Sequence, residues 1–180
     1  MRERFTIEQA AAWEKKYGWL VGCNYVPSYA VNQLDTWAKE TFDPELIDRE
    51  MVEQWVEDIE KFNMRPTIGY SASKQTNWKE RLKTDIEDFD LGIINTFCFV
   101  TTNATFSSDF VQKQISKIRG NALLVVDEAH NFGAEHLSKY MTETFNYRLA
   151  LSATLDRHGD PEGTQKLLDY FGDRCITYTL

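Results

Sequence analysis

Five consecutive apolar residues, from Ala122 to Val126, run directly into the polar sequence Asp127-Glu128-Ala129-His130. A continuous apolar run of this length is typical of a strand that is buried on both faces of a parallel sheet. In parallel α/β sheets, functional groups gather just beyond the carboxyl ends of the strands. Two carboxylates and a histidine therefore follow a predicted strand at the point where a site is expected.

The chain from residue 51 onward alternates apolar runs with amphipathic stretches of helical period, which is the pattern of an α/β protein with a parallel sheet. We predict three layers, with helices on both faces of the sheet. The apolar face of the first helix is expected to carry Val52, Trp55, Val56, Ile59 and Phe62. The predicted helices are 51–62, 78–86, 107–118, 134–141 and 161–171, and the predicted strands are 67–70, 92–101, 122–126, 147–151 and 175–179.

The acidic pair suggests phosphoryl-transfer chemistry. Asp127 is placed to hold Mg²⁺ directly or through water, because Mg²⁺ prefers a few carboxylate ligands and keeps several waters. Glu128 could polarise an attacking water. For an isolated Asp-Glu pair, the alternative is a strand followed by an acidic N-cap of the next helix.

A second apolar run, Leu149 to Leu151, ends in the hydroxyl residues Ser152 and Thr154 one helix further along. Two parallel strands joined by a right-handed crossover can bring their carboxyl ends together. We therefore expect Ser152 or Thr154 to form a hydrogen bond with His130.

Four segments carry a family resemblance. LLVVDEAHNFG and YRLALSATLDRHGD resemble motifs II and III of superfamily 2 helicases, in the DEAH-type branch that includes type III restriction subunits and related DNA translocases. MVEQWVEDIEKFN resembles the helix after motif Ia, and FCFVTTNATFSSDFV resembles the motif Ib strand and turn. The resemblance covers about residues 51–180 and implies a partial RecA-like domain of the P-loop NTPase fold.

The resemblance also implies roles for individual residues, with ATP and Mg²⁺ as cofactors. Asp127 would be the Mg²⁺ ligand and Glu128 the water-activating carboxylate. His130, Ser152 and Thr154 would couple the nucleotide state to the grip on nucleic acid.

DNA or RNA is the partner that the resemblance implies. Thr101, Thr102 and Thr105 would lie near its backbone, where hydroxyl and main-chain N–H groups contact phosphates. The alternative for these threonines is that they are ordinary β-branched strand residues.

The sequence departs from the helicase pattern in its phosphate-binding part. A helicase needs a G-x-x-x-x-G-K-S/T loop, and none of the nine glycines is followed by lysine. The motifs of a second RecA-like domain and its arginine finger are also missing. We therefore expect no ATP hydrolysis by this chain alone, and activity only if a partner supplies a phosphate loop and a second RecA-like domain or subunit. A non-catalytic binding or scaffold module is the alternative.

Residues 1–50 differ from the remainder and form a second predicted domain. GWLVGCNYVPSYAVNQLDTWAKETFDPELIDRE resembles the opening βα unit of a (β/α)8 glycoside hydrolase of the cellulase or mannanase type, over residues 4–50. Asn24, Tyr25 and Trp37 would face sugar in a whole barrel, or act as packing residues here. A composite chain is therefore expected, in which strand 19–23 takes a position in the helicase sheet; a carbohydrate-active fragment is the third functional hypothesis.

The composition limits the binding partners and the cellular location that we expect for the protein. A formal net charge of −8 argues against non-specific nucleic-acid binding, which depends on neutralising phosphates. No apolar run approaches the ~20 residues needed to cross a bilayer. The three cysteines are far apart and suit neither a disulfide framework nor a metal site. We predict a soluble, cytoplasmic protein without a membrane partner.

Overall fold

The computed structural model describes residues 27–30, 38–71, 73–152, 157 and 159–172. Several predicted features lie outside these residues, namely the strands 19–23 and 175–179 and the residues Asn24, Tyr25, Trp37 and Thr154. Within the described part of the chain, no helix combines the length and the apolar composition needed to cross a membrane.

The described residues form a mixed α/β structure with short parallel sheets, as predicted. The helices are α1 (Pro44–Glu60), α2 (Trp78–Asp90), α3 (Asn103–Phe106), α4 (Asp109–Ile115), α5 (Glu135–Ser138) and α6 (Pro161–Phe171). The strands are β1 (Thr67–Gly69), β2 (Phe99–Thr101), β3 (Leu123–Val126) and β4 (Tyr147–Ala150). By their contacts the residues divide into two units, one containing β1 and β2 and the other containing β3 and β4.

Helix α1 begins at Pro44, where the sequence Asp43-Pro44 predicts a helix start. It runs without a break into the helix predicted from residue 51 and ends before Phe62. Asp43 caps its first turn by accepting a hydrogen bond from the Leu46 N–H at 3.0 Å. The inclusion of Phe62 in the apolar face was wrong, since this side chain is 78% exposed. The chain leaves the helix at Lys61, and Asn63 has a φ of 58°, so Phe62 no longer follows the helical period.

Strands β1 and β2 form a parallel pair in the first unit, with Ile68 opposite Val100. Helix α2 packs beside β1 and buries Leu82 and Ile86, each only 1% exposed. Trp78, at the start of α2, stacks on Phe99 of β2 with ring centroids 5.9 Å apart. These apolar contacts make up much of the core of the unit.

The predicted strand 92–101 is a strand only in its last three residues, because its first part closes α2. Gly92 has a φ of +71°, and the Ile93 N–H turns back to the Asp88 carbonyl at 2.8 Å. This is the arrangement by which a left-handed glycine satisfies the last carbonyls of a helix. An apolar composition alone did not reveal that a helix cap would use Gly92 and Ile93.

Strands β3 and β4 form the parallel pair of the second unit, with Leu124 opposite Arg148 and Val126 opposite Ala150. The prediction that strand 122–126 is buried on both faces was wrong, because Leu123 is 59% exposed whereas Leu124 is 9% exposed. Arg148 shares the face of Leu124, and its guanidinium lies 4.1 Å from the centroid of the Tyr170 ring on α6. Helix α6 thus covers this face, and Leu123 lies on the other.

Candidate functional site

The polar sequence after β3 begins with a sharp turn. Asp127 is exposed, and its Oδ1 accepts a hydrogen bond from the Glu128 N–H at 2.9 Å. Glu128 has a φ of 47° and a ψ of 48°, the left-handed conformation that non-glycine residues seldom adopt. A 3₁₀ turn over Ala129–Asn131 follows directly. Asp127 therefore stays open to solvent while the chain bends away from the strand.

His130 lies in this turn, and its ring approaches two oxygen atoms. The ring Nδ1 is 3.1 Å from the Ser152 hydroxyl and 3.3 Å from Glu128 Oε2. An ionised carboxylate can only accept hydrogen bonds, so its position favours a proton on Nδ1. The Ser152 hydroxyl can accept from the same N–H. The Nδ1–H tautomer is thus the one that satisfies both neighbours.

The backbone of the two strands accounts for this approach. The Leu151 N–H donates to the Val126 carbonyl at 2.9 Å, and the Ala129 N–H donates to the Leu151 carbonyl at 3.0 Å. The hydrogen bonding between β3 and β4 therefore continues past the ends of both strands. It places Ser152 beside the turn that carries His130, as the paired-strand prediction required.

Four of the five residues predicted for the nucleotide site are described and lie just beyond the ends of β3 and β4: Asp127, Glu128, His130 and Ser152. Thr154 lies outside the described residues. Within the described ranges there is no group of three or more His, Cys, Asp or Glu side chains that could enclose a metal ion. Mg²⁺ is commonly bound by one or two carboxylates together with water and substrate phosphates, and the exposed Asp127 fits that role.

The three threonines predicted to face nucleic acid lie in the other unit, at the end of β2 and the start of α3. The Thr101 hydroxyl donates to the Gly69 carbonyl at 2.6 Å, which ties β2 to β1. Thr102 is the N-cap of α3, and its hydroxyl accepts from the Thr105 N–H at 3.5 Å. The Thr102 hydroxyl also lies 3.5 Å from the Thr105 hydroxyl. All three hydroxyls thus have contacts within the protein, and a nucleic-acid role for the three stays a prediction.

Arg157 and Asp160 are two residues that the sequence did not single out. The Arg157 side chain is 19% exposed, and its Nε donates to Asp160 Oδ2 at 2.8 Å. The guanidinium of Arg157 and then the Gly163 N–H lower the pKa of Asp160 from its ordinary value. The signal available in the sequence was an aspartate immediately before Pro161, because proline in the first turn and Asp at the N-cap are helix-start features.

Residues 46–157 match the family model of the type III restriction enzyme, res subunit. This range covers more than half of the chain. The chain belongs to that family. It is a helicase-like family, in agreement with the superfamily 2 resemblance of motifs II and III.

The family match contains all of the described candidate residues, from Thr101 to Ser152, and ends at Arg157. Comparison with curated proteins gave no match, and neither did comparison with solved structures. The glycoside hydrolase resemblance of residues 4–50 lies almost wholly before the range of the res-subunit family. That resemblance, the composite origin and the cytoplasmic location stay predictions.

Proposed function

We propose that Asp127, Glu128, His130 and Ser152 form the Mg²⁺ and water end of the nucleotide site in a DEAH-type, superfamily 2 helicase or translocase. The observation that carries this proposal is the 3.1 Å approach of the His130 ring to the Ser152 hydroxyl. It joins the acidic segment after β3 to the hydroxyl segment after β4. Membership of the res-subunit family supports the proposal independently.

Each side chain has a chemical task in this proposal. Asp127 would hold Mg²⁺, which when bound would neutralise charge on the nucleotide phosphates. Glu128 would act as a general base and accept a proton from the attacking water, which requires that the carboxylate lie within hydrogen-bonding distance of that water. His130 and Ser152 would link this centre to β4. Thr154 belongs to the proposal through the motif III resemblance.

A titration of the chain with a fluorescent ATP analogue, with and without Mg²⁺, tests the proposal. We expect saturable, Mg²⁺-dependent binding that weakens roughly tenfold or more in Asp127→Ala, equivalent to about 1.4 kcal/mol. Glu135→Gln is the matched control, because Glu135 is an exposed carboxylate of α5 in the same unit. Equal weakening by the two substitutions would contradict a specific role for Asp127.

The proposal extends to nucleic acid. Thr101, Thr102 and Thr105 would contact the backbone of DNA or RNA, with hydroxyl groups bonding to phosphate oxygens. Thr105→Val keeps the side-chain shape and removes one hydroxyl, and Thr84→Val makes the same change on the exposed face of α2. Fluorescence anisotropy with labelled DNA and RNA strands should show weaker binding for Thr105→Val alone, with an unchanged salt slope because no charge is lost.

Turnover is a separate part of the proposal. A G-x-x-x-x-G-K-S/T segment does not occur in these 180 residues, and we propose that hydrolysis requires a phosphate loop and a second RecA-like domain in addition to them. The alternative is a binding or scaffold module that does not turn over. Mg²⁺-dependent binding without hydrolysis fits the first proposal if a complementing domain restores turnover, and it fits the alternative if none does.

A further inference from the structure

The Arg157 side chain connects two segments of the unit that contains Asp127, Glu128 and His130. Its Nη1 donates a hydrogen bond to the backbone carbonyl of His130, and its Nε donates to Asp160 Oδ2 at 2.8 Å. A guanidinium presents its donors in a rigid planar fork, so one side chain can serve two acceptors at once. Arg157 therefore ties the turn after β3 to the segment that precedes α6.

Asp160 is itself fixed, so the guanidinium has a firm anchor. Asp160 Oδ1 accepts from the Gly163 N–H at 2.8 Å as the N-cap of α6. The backbone N–H of Arg157 donates to the Thr164 hydroxyl at 2.8 Å. The backbone N–H and the side chain of Arg157 thus both form hydrogen bonds with residues at the start of α6.

Two glycines leave the space that this side chain occupies. A Cβ atom added to Gly133 would lie 2.8 Å from Arg157 Cδ, and one added to Gly163 would lie 2.7 Å from Arg157 Nε. Real Cβ atoms essentially never approach other atoms so closely. Gly133 and Gly163 therefore leave room for the arginine, and Gly163 also leaves room for the Asp160 carboxylate that the arginine contacts.

We infer that Arg157 is a positioning residue for His130: by holding the His130 carbonyl against α6, it keeps the ring within reach of Ser152. Within the turn, the Asn131 N–H donates to the Glu128 carbonyl and the Phe132 N–H donates to the Ala129 carbonyl, both at 2.9 Å. The carbonyl of His130 itself accepts from Arg157. The geometric inference stands on these contacts alone. Its consequence for nucleotide binding rests on the proposed function.

Nitrogen NMR of the histidine rings tests the inference. The chain has three histidines, and the spectrum of His130→Asn identifies the His130 signals. At a pH where the ring is neutral, we expect the wild-type signals to show a protonated Nδ1 and an unprotonated Nε2. In Arg157→Ala the two shifts should move toward a common average, because the freed ring exchanges between tautomers. Unchanged shifts in folded Arg157→Ala would overturn the inference.

Two further variants decide the matter if Arg157→Ala does not fold. Gly163→Ala keeps the arginine but places a methyl group against both Asp160 Oδ2 and Arg157 Nε. Because it disturbs the contact between these two atoms, it should also move the His130 shifts toward the average. Arg157→Lys keeps the positive charge without the planar fork of donors. Its His130 nitrogen shifts should therefore lie between the wild-type values and the tautomer average. Wild-type shifts in both variants would overturn the inference.

Arg148→Ala is the matched control, because Arg148 also bridges β4 and α6, through the Tyr170 carbonyl at 3.1 Å. It should leave the His130 signals unchanged although it removes a guanidinium from the same unit. A comparable movement of the shifts in Arg148→Ala would count against a specific role for Arg157.

The nucleotide titration separates this inference from the proposed function. A wild-type chain that binds no Mg²⁺-nucleotide but loses its His130 tautomer pattern in Arg157→Ala would retain the inference and remove the function. If the wild-type chain binds Mg²⁺-nucleotide but Arg157→Ala leaves the His130 tautomer pattern unchanged, the proposed function is retained and the inference about Arg157 is overturned. If both hold, Arg157→Ala should also weaken nucleotide binding severalfold while Arg148→Ala leaves it unchanged.

Discussion

The ring Nδ1 of His130 lies 3.1 Å from the hydroxyl of Ser152, although 22 positions of the chain separate the two residues. His130 follows the end of β3 and Ser152 follows the end of β4, so the segments after the two strands meet in this contact. The same Nδ1 is 3.3 Å from the Glu128 carboxylate, which is the group proposed to activate water. His130 therefore contacts both the acidic segment that follows β3 and the hydroxyl residue that follows β4.

The energy of this contact can be measured by a double-mutant cycle. We expect His130→Ala and Ser152→Ala each to lower the free energy of unfolding, and their coupling energy to be about 0.5–1.5 kcal/mol, the net value of one hydrogen bond. Urea unfolding of the two single variants and the double variant gives the coupling. Additive effects, with no coupling energy, would contradict a direct interaction.

Glu128 is expected to carry backbone strain, because its φ is 47°. Glu128→Gly should be more stable than Glu128→Gln by up to about 1 kcal/mol, since glycine adopts the left-handed conformation without a steric cost. Both variants remove the carboxylate, so the comparison isolates the backbone effect. Asn63→Gly, at a φ of 58°, should gain less because asparagine tolerates this conformation better. Equal midpoints of urea unfolding for the two Glu128 variants would disprove the strain.

The stability of the chain should depend on the ionisation of Asp160. Hydrogen bonds from Arg157 and then from the Gly163 N–H lower the pKa of this carboxyl in the folded state. A lowered pKa contributes stability above the ordinary unfolded-state value of about 4, and the contribution is lost as the pH falls through the folded-state pKa. We expect the midpoint difference between the wild type and Asp160→Asn to be largest above pH ~5 and to shrink in acid. A difference that is constant with pH would argue against this linkage.

Gly69→Ala should destabilise the unit of β1 and β2. An added Cβ would lie 2.6 Å from ring atoms of both Phe99 and Trp78, and these rings stack on each other. Displacing packed side chains costs typically 1–3 kcal/mol, which a shift of the urea midpoint would reveal. Gly92→Ala provides a contrast, because Gly92 has open space around it but a positive φ. Its cost of about 1 kcal/mol should come from the backbone alone. Unchanged stability of Gly69→Ala would contradict the close packing.

Local sequence signals predicted much of the secondary structure. The helix at 161–171 has the predicted bounds, and the strands at 67–70 and 147–151 differ by a single residue. Predictions failed where apolar residues belong to the end of a helix and not to the predicted strand or a longer helix. Gly92 and Ile93 form a cap in place of a strand, and the predicted helix 134–141 is a single turn in α5 that continues as i to i+3 turns at Tyr140 and Met141.

The sequence by itself determined which chemical groups follow the two strands and in what order, because strand ends and polar residues are local features. It predicted that Ser152 or Thr154 would contact His130, from the rule that parallel strands can bring their ends together, and Ser152 makes that contact. The tertiary structure alone decided that the Glu128 carboxylate turns toward His130, that Arg157 reaches its carbonyl, and that only one face of β3 is buried. The last two features depend on contacts between segments far apart in the chain, which no local pattern contains. The first depends on the left-handed conformation of Glu128, which the sequence did not indicate.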